Sequence, residues 1–568
     1  MKTKTIYSVL TIIALFILSQ DTFSQAISPY FFGQNCWMPD SIGSKKFGGQ
    51  LHNKWQEIKQ SNAQLIRFGG IGPDDNKPTN YQYIKMIDSI RMNGMEPIIQ
   101  VPYFNGKYTA SQAAAIVEYI NITKGKKIKF WIIGNEPDHV YKFTSSSQVA
   151  PYIRSFSSAM KAKDPSIKII GPETAWYNTN IINGLTSPGG PDDITGKDAA
   201  GRYYIDVISF HTYPFNGTQT RDEVISNLTV PGNFQDRLSS LNSRIINCNT
   251  AHGRTGDNAL ITAVTEANIN FKNSDTDNLN GVGANSFIGG QFWVEMMGIG
   301  LKKNLGFFNF WSVVEGNTQA LNIGYLDRNN GNKKPSYHHF KLMAGNFKGN
   351  YCNATDNKGN IKVFGSKDTT QIAVIILNQS QSSNYDFKLR LNTADVSGNN
   401  NLKINVNADL DIEYDDIIEN QSTILLVFDK AGNIKKKCEY KLNGHANANL
   451  PPACTNYSDP VTQLKTIEKN EDPEKINGEK LMDFKVYPNP ANNNFTINFN
   501  DGENSKNSVV LKMIDQVGRV VLNEKFTLID GHLNKQIEIN DYSIATGVYS
   551  IQIESDKNVY STRIILTE

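Results

Sequence analysis

Residues 128–137 read Ile-Lys-Phe-Trp-Ile-Ile-Gly-Asn-Glu-Pro, a short apolar run that ends in polar residues. Apart from Lys129, the run is apolar up to Gly134, which is typical of a parallel strand covered on both faces. Asn135 and Glu136 then stand where the predicted strand ends. The fold depends on whether this arrangement is repeated along the chain.

Seven further runs of this kind lie between Tyr30 and Gly345, and segments with apolar residues at helical spacing separate them. The eight runs are 31–37, 64–70, 96–103, 128–136, 167–173, 206–213, 260–266 and 306–313. This alternation predicts an α/β fold, a (β/α)8 TIM barrel over residues 27–347. A doubly wound sheet would usually carry a glycine-rich phosphate fingerprint, and Gly69-Gly70-Ile71-Gly72 is too short to match one.

Catalytic groups in such barrels lie at the carboxyl ends of the strands. The candidates there are Arg67, Asn135, Glu136, Glu173, His211, Tyr213, Glu266 and Trp311. The sequence has no His-Glu-x-x-His spacing and no Gly-x-Ser-x-Gly elbow, so we predict neither a metal nor a cofactor. Two opposed carboxylates suit the cleavage of a glycosidic bond, in which one protonates the leaving oxygen and the other attacks the anomeric carbon.

Five of these features, in order at matching strand ends, resemble glycoside hydrolase clan A, whose members are retaining barrel glycosidases. They are Arg67 in Ile66-Arg67-Phe68-Gly69-Gly70, Asn135-Glu136-Pro137, His211-x-Tyr213, Glu266 and Trp311. The resemblance implies that Glu136 is the acid/base and that Glu266 is the nucleophile.

The remaining candidates are expected to bind substrate or to orient these two carboxylates. Arg67 and Tyr213 would hold Glu266, and His211 would orient Glu136 or a sugar hydroxyl. Asn135 would bond the sugar 2-hydroxyl, and Trp311 would form the floor beneath the sugar whose bond breaks. Glu173 binds a sugar hydroxyl or is structural, and the sequence does not decide between the two.

Double displacement sets opposite requirements for the two catalytic carboxyls. Glu136 must be protonated at rest, so we expect burial and nearby negative charge to raise its pKa. Glu266 must stay ionised, and Arg67 would keep it so. Asp74, Asp138 and Glu315 are expected to be loop acids or distal contacts.

The substrate is expected to be a polysaccharide or oligosaccharide. Trp37, Phe104, Trp176 and Tyr177 follow strand ends and could stack on sugar rings. The barrel motifs with a side sandwich are similar to the clan branch that contains β-xylosidases, arabinofuranosidases and endoglycanases. That similarity does not choose between these activities, and our main expectation is an endo-β-glycanase that acts on an extracellular polysaccharide. An exo-acting β-xylosidase or α-L-arabinofuranosidase, and a non-catalytic glycan-binding protein, are the alternatives.

Residues 348–458 change to an all-β pattern, with alternating runs at 361–364, 371–377, 385–391 and 422–428. This predicts a β-sandwich domain beside the barrel. Cys438 and Cys454 flank one loop and could pair, and the odd total of 5 cysteines leaves at least one thiol free.

The two ends of the chain are predicted to be targeting segments. Lys2 and Lys4 precede a short apolar run, which predicts a signal peptide over residues 1–26 rather than a membrane anchor. A charged linker, 459–482, leads to short alternating runs over 483–568 that predict a small β-sandwich.

This last segment resembles the C-terminal sorting domain of the type IX secretion system. Its Tyr487-Pro-Asn-Pro490, Ile514-Asp-Gln-Val-Gly-Arg519 and Gly547-Val-Tyr549 carry the resemblance. The resemblance implies that the type IX machinery is a partner and that the protein is secreted from, or displayed on, a Gram-negative bacterium.

Charge and composition exclude several other classes of protein. The 568 residues hold 57 Lys+Arg and 55 Asp+Glu, a net charge of +2, which does not indicate nucleic acid or an anionic membrane as a partner. No other apolar run is long enough for stable membrane insertion, and nothing demands an oligomer, so we expect a monomer.

Overall fold

The structure is a computed structural model. It describes residues 25–37, 51–315, 318–398, 400–461, 465–466, 483–487, 489, 491–500, 508–515, 519–529, 532–539, 544–554 and 559–567. Most of the predicted signal peptide and most of the predicted linker lie outside these ranges. The chain divides into two compact units, Met1–Ile467 and Glu468–Glu568. Among the described residues, no helix has both the length and the apolar character needed to cross a membrane.

Eight parallel strands of the first unit close into a barrel, which confirms the predicted fold. Each strand pairs with the next along the chain, and the eighth pairs with the first. The strands are β1 Phe32–Cys36, β2 Leu65–Phe68, β3 Glu96–Val101, β4 Phe130–Ile133, β5 Lys168–Thr174, β6 Val207–Thr212, β7 Ile261–Ala267 and β8 Phe307–Phe310.

Helices connect these strands and cover the outside of the barrel. Several begin at a threonine whose hydroxyl caps the first turn, such as Thr79, Thr109 and Thr220. The helices are α1 Trp55–Gln60, α2 Ile71–Asp75, α3 Asn80–Met92, α4 Ala110–Val117, α5 Ser146–Lys163, α6 Thr179–Leu185, α7 Arg221–Ser226, α8 Phe234–Ala251, α9 Phe287–Lys302 and α10 Pro335–Ala344.

Two sheets follow the barrel and form the predicted sandwich around their own apolar cluster. The strands are β9 Asn350–Cys352, β10 Ala354–Asp356, β11 Ile361–Lys367, β12 Gln371–Asn378, β13 Tyr385–Arg390, β14 Leu402–Val406, β15 Ile412–Ile418, β16 Ser422–Asp429, β17 Ile434–Lys441, β18 Ala453–Val461 and β19 Lys465–Thr466. One sheet has the order β10-β14-β13-β15-β19, and the other has the order β18-β17-β16-β12-β11-β9.

Polar contacts connect the sandwich to the barrel within the first unit. The Gln291 side chain on α9 donates to the carbonyl oxygens of Asn378 (3.1 Å) and Ser422 (2.9 Å). A disulfide joins Cys438 on β17 to Cys454 on β18, and the other three cysteines, Cys36, Cys248 and Cys352, are buried.

The second unit contains a three-stranded sheet, β20-β21-β24, and a four-stranded sheet, β23-β22-β25-β26. Its strands are β20 Asp483–Tyr487, β21 Asn494–Asn500, β22 Ser508–Ile514, β23 Val520–Thr527, β24 His532–Glu538, β25 Gly547–Glu554 and β26 Val559–Leu566. Alternate residues, such as Phe495, Ile497 and Phe499, fill the space between the sheets. The predicted small β-sandwich is therefore confirmed.

Candidate active site

The carboxyl ends of the barrel strands surround a cavity of about 560 Å³. Six of the side chains expected at the site line it, namely Asn135, Glu136, Trp176, Tyr213, Glu266 and Trp311. Arg67, Glu173 and His211 are fully buried beneath it. These three therefore contact the glutamates rather than the open cavity.

Glu136 and Glu266 face each other at this mouth. Glu136 follows β4 with a left-handed backbone (φ 46°), and its side chain is 15% exposed. Glu266 lies in β7 and is 6% exposed. One oxygen of each carboxylate and one ring nitrogen of His211 lie within 4.8 Å of one another. The strained backbone at Glu136 is of the kind that concentrates at functional sites.

Arg67 on β2 holds Glu266 from below. Its Nη1 donates to Glu266 Oε1 (2.8 Å) and to Asn35 Oδ1 (3.0 Å). Its Nη2 donates to Asn135 Oδ1 (2.8 Å) and lies 3.0 Å from Glu173 Oε2. One buried guanidinium thus fixes residues at the ends of β1, β4, β5 and β7.

Glu173 supports the site from within the barrel. Its Oε1 accepts hydrogen bonds from Ser209 and Thr265, and its Oε2 contacts Arg67 and His211. Burial alone would raise the pKa of Glu173, but Arg67 and His211 lower it to about 2. Of the two roles left open by the sequence, this placement matches the structural one.

His211 lies among three carboxylates. Its Nδ1 is 2.9 Å from Glu136 Oε1 and 3.5 Å from Glu266 Oε2, and its Nε2 is 3.3 Å from Glu173 Oε2. Burial opposes the charged ring, but the surrounding carboxylates raise the pKa of His211 to about 10. An imidazolium in this position can donate to the surrounding carboxylates from both ring nitrogens.

The pKa expected for Glu136 is wrong for this arrangement. Burial raises the pKa of Glu136, but hydrogen bonds from His139 (3.0 Å) and His211 (2.9 Å) outweigh it and lower the pKa to about 2. Burial raises the pKa of Glu266 above its usual value, because it outweighs the lowering by His211 and Arg67. These contacts favour an ionised Glu136 beside a protonated His211.

Tyr213 and Trp311 both line the cavity. The Tyr213 hydroxyl donates to Glu266 Oε2 at 2.8 Å. The Trp311 ring lies against Gly70, where an added Cβ would come 2.6 Å from the indole and where φ is +108°. Glycine is therefore required at position 70 for the Trp311 ring to lie there.

The aromatic residues that follow other strand ends have different positions. Trp176 lines the cavity, with 47% of its surface exposed. Trp37 is half-buried beside Gly72, and its indole interacts with Glu315. Tyr177 is buried against Phe210, so the stacking expected of it is wrong, and Phe104 packs on Tyr141.

Sequence reasoning missed several supporting residues. Asn35 and Gln100 accept from Arg67, His139 contacts Glu136, and Phe271 lies on the cavity wall. Asn35 and Gln100 lie in predicted strands, two and three residues before the strand ends, and His139 is three residues beyond Glu136. Polar residues on barrel-facing positions were the signal that could have revealed the first two.

A hydroxyl braces the turn that carries Glu136. Tyr141 donates to the buried carboxylate of Asp74 and accepts from the backbone N–H of Asn135 (2.9 Å). Asp74 also accepts from the backbone N–H groups of Tyr103 (2.8 Å) and Phe104 (3.3 Å). Asp74 is therefore not the loop acid or distal contact that the sequence predicted, and Asp74 and Tyr141 together position the turn after β4.

Comparison with family models identifies the C-terminal segment. Residues 485–567 match the model described as "Secretion system C-terminal sorting domain". The predicted sorting domain is confirmed, and it marks the chain for secretion and implies interaction with that machinery. No functionally curated protein matches the sequence.

Solved structures similar to this chain include glycoside hydrolases of several families. A family 44 xyloglucanase from Paenibacillus polymyxa is 14% identical (TM-score 0.46) and covers 71% of this chain and 96% of its own. A family 51 α-L-arabinofuranosidase from Bifidobacterium longum is 14% identical (TM-score 0.46; 64% and 85% covered). A family 30 subfamily 8 xylanase from Clostridium acetobutylicum is 12% identical (TM-score 0.44; 71% and 97% covered).

Proposed function

We propose that this chain is a secreted retaining glycoside hydrolase, an endo-β-glycanase that acts by double displacement. The observation that carries the proposal is the approach of Glu136 and Glu266, whose nearest oxygens lie within 4.8 Å of each other. Retaining glycosidases hold two carboxyl groups about 5–5.5 Å apart, whereas inverting enzymes need about 6.5–9.5 Å to admit a water.

In the first step, Glu266 attacks the anomeric carbon, and the bond from that carbon to the glycosidic oxygen breaks. The leaving oxygen takes a proton from Glu136, and a glycosyl–Glu266 ester remains. Arg67 and Tyr213 favour the ionised form of Glu266 against burial and orient it, since each donates a 2.8 Å hydrogen bond to a different oxygen. In the second step, a water loses its proton to Glu136 and releases the sugar.

Glu136 and His211 share the proton that this cycle requires. At rest the proton lies on His211, whose Nδ1 is 2.9 Å from Glu136 Oε1. When a leaving oxygen reaches Glu136, the proton moves from Nδ1 to Oε1 and on to that oxygen. The pair regains one proton from the water of the second step, so its charge is restored.

The cavity wall supports a neutral glycan as substrate. Ile71, Trp176, Phe271 and Leu321 are exposed large apolar side chains, and all four line this cavity. Among the described residues, no lysine or arginine lines it. Sugar rings present apolar faces that pack on such side chains. Because several of these side chains lie beyond the two glutamates, the cavity favours binding of an internal stretch of a glycan.

A polysaccharide panel tests the proposal. The full chain and its Glu266→Ala variant would be incubated with neutral plant and algal β-glycans and xylans, and products would be sized by mass spectrometry. We expect oligosaccharides from the earliest time points with the wild type and none with the variant. Monosaccharide alone would indicate exo action, and binding without cleavage of any glycan would overturn the proposal.

A further inference from the structure

A second cavity, here called the junction cavity, lies within the first unit where α1 and α10 meet the sandwich strands β17 and β18. Its volume is about 640 Å³, and its wall includes Tyr337, His338 and Lys341 on α10 and Lys436 on β17. Small-molecule sites usually measure about 300–1,000 Å³. None of these residues takes part in the active site.

Three lysines, Lys333, Lys341 and Lys436, bring positive charge to this cavity. Lys333 donates to the Gln60 side chain (3.3 Å) and Lys436 to the Asn346 side chain (3.2 Å), and both acceptors are neutral. None of the three forms an ion pair with another described residue. Burial and the charges of neighbouring lysines lower the pKa of Lys341 and Lys436.

One carboxylate lies on the same wall but does not neutralise the lysines. Glu57 on α1 lines the cavity, and its Oε2 is buried without a hydrogen-bond partner in the described part of the chain. An acceptor in that state is suited to a donor from a ligand, such as a hydroxyl.

His338 adds a buried and unpartnered polar group. It is 6% exposed and lines both this cavity and an adjoining one of about 310 Å³. Its ring packs on Tyr337 and Tyr440, and its nitrogens make no hydrogen bond within the described ranges. Burial and the charges of Lys333 and Lys341 lower the pKa of His338 to about 4, so the ring is neutral near pH 7.

We propose that the junction cavity binds a small ligand that carries an oxyanion, a carboxylate, sulfate or phosphate group. Lys333, Lys341 and Lys436 supply ammonium donors without a matching carboxylate, and a bound oxyanion would relieve their mutual repulsion. The neutral His338 and the free oxygen of Glu57 would bond hydroxyls of the same ligand. This site does not depend on the proposed glycosidase activity.

Calorimetric titration of the full chain at low salt tests the site with three probes: inorganic sulfate, inorganic phosphate and D-galacturonate. We expect saturable binding of at least one, with a Kd of about 1 mM or tighter. Combined Lys341→Ala and Lys436→Ala changes should weaken it about tenfold or more, because two charge-assisted contacts are lost. Lys403→Ala, on an exposed sandwich lysine, is the matched control and should leave the affinity unchanged.

The probes also distinguish the source of the oxyanion. Tighter binding of galacturonate than of both inorganic anions indicates a sugar acid, and the reverse indicates a free anion. The melting temperature of the double variant without a probe should be unchanged or higher, since like-charge repulsion is removed. No saturable binding of any probe, or equal affinity in the double variant, would overturn the proposal.

Discussion

The lower and upper halves of the barrel interior differ sharply although the same strands build both. The lower half is an apolar cluster of its own, composed of Leu65, Ile98, Phe130, Ile132, Ile170, Val207, Ala263 and Phe307. Two residues further along, four of these strands carry buried polar side chains on the same face, namely Arg67, Gln100, Ser209 and Thr265.

This difference indicates which half serves stability and which serves function. Burying apolar side chains stabilises the fold directly, whereas a buried ion network such as Arg67 with Glu173 and Glu266 contributes little net stability. A chain would keep such a network for chemistry. Changes in the upper half should therefore affect catalysis, and changes in the lower half should affect stability.

The largest effect is expected for Glu266→Ala in the upper half. Loss of the nucleophile should lower kcat/KM on the cleaved glycan by about 10⁴-fold or more. The melting temperature should remain within a few degrees of the wild type. Steady-state kinetics and thermal unfolding on the same preparation check both statements. Activity retained in a folded variant would contradict the assignment of catalysis to the upper half.

A smaller effect is expected for Tyr141→Phe, which removes the hydroxyl between Asp74 and the Asn135 backbone. The turn that carries Glu136 loses its brace, so kcat should fall about tenfold while KM changes little. Tyr152→Phe is the matched control, because the buried Tyr152 hydroxyl has no hydrogen-bond partner among the described residues. Equal losses of kcat in both variants would show that the Tyr141 hydroxyl does not position the turn that carries Glu136.

The charge on His211 gives a smaller, pH-dependent effect. Burial opposes the charge, but the carboxylates raise the pKa of His211 from 6.5 to about 10. Because the folded pKa lies above the unfolded one, this contribution to stability is complete below about pH 6.5 and is lost as the pH rises through about 10. The difference in melting temperature between the wild type and His211→Gln should therefore shrink between pH 6.5 and 10. A constant difference would contradict the assigned charge.

The smallest effect on catalysis is expected for Ile132→Ala in the lower half. Ile132 is fully buried, so the cavity left behind should lower the free energy of unfolding by about 2–5 kcal/mol. The kcat/KM of the folded enzyme should be unchanged. Denaturant unfolding and kinetics below the unfolding transition measure the two quantities, and a large loss of kcat/KM would undermine the division between the halves.

The ends of the barrel strands could be predicted from the sequence, because each strand is one continuous apolar run and polar residues mark where it ends. Glu136 and Glu266 lie at the barrel mouth for that reason. The contact of Tyr141 with Asp74 could not be predicted, since it joins residues that only the closed barrel brings together. The lowered pKa of Glu136 was missed because it depends on His139 and His211 converging on one carboxylate.

The sandwich was predicted with fewer strands than it has. Strand β14, Leu402–Val406, is short, and β17, Ile434–Lys441, contains three consecutive lysines. Long apolar strands such as β12 and β16 stand out from turns, whereas edge and half-exposed strands resemble polar loops. Their pairing is set by neighbouring strands that lie far away in the sequence.

Azide rescue of the two glutamate variants tests the central claim most directly. A small anion replaces the missing carboxylate, so the product reveals which face of the sugar each glutamate occupies. With an aryl glycoside of the cleaved sugar, Glu136→Ala should give a glycosyl azide with the anomeric configuration of the substrate, and Glu266→Ala should give the opposite configuration. Exchanged configurations, or no azide adduct from either variant of an enzyme active as the wild type, would contradict the assigned roles of Glu136 and Glu266.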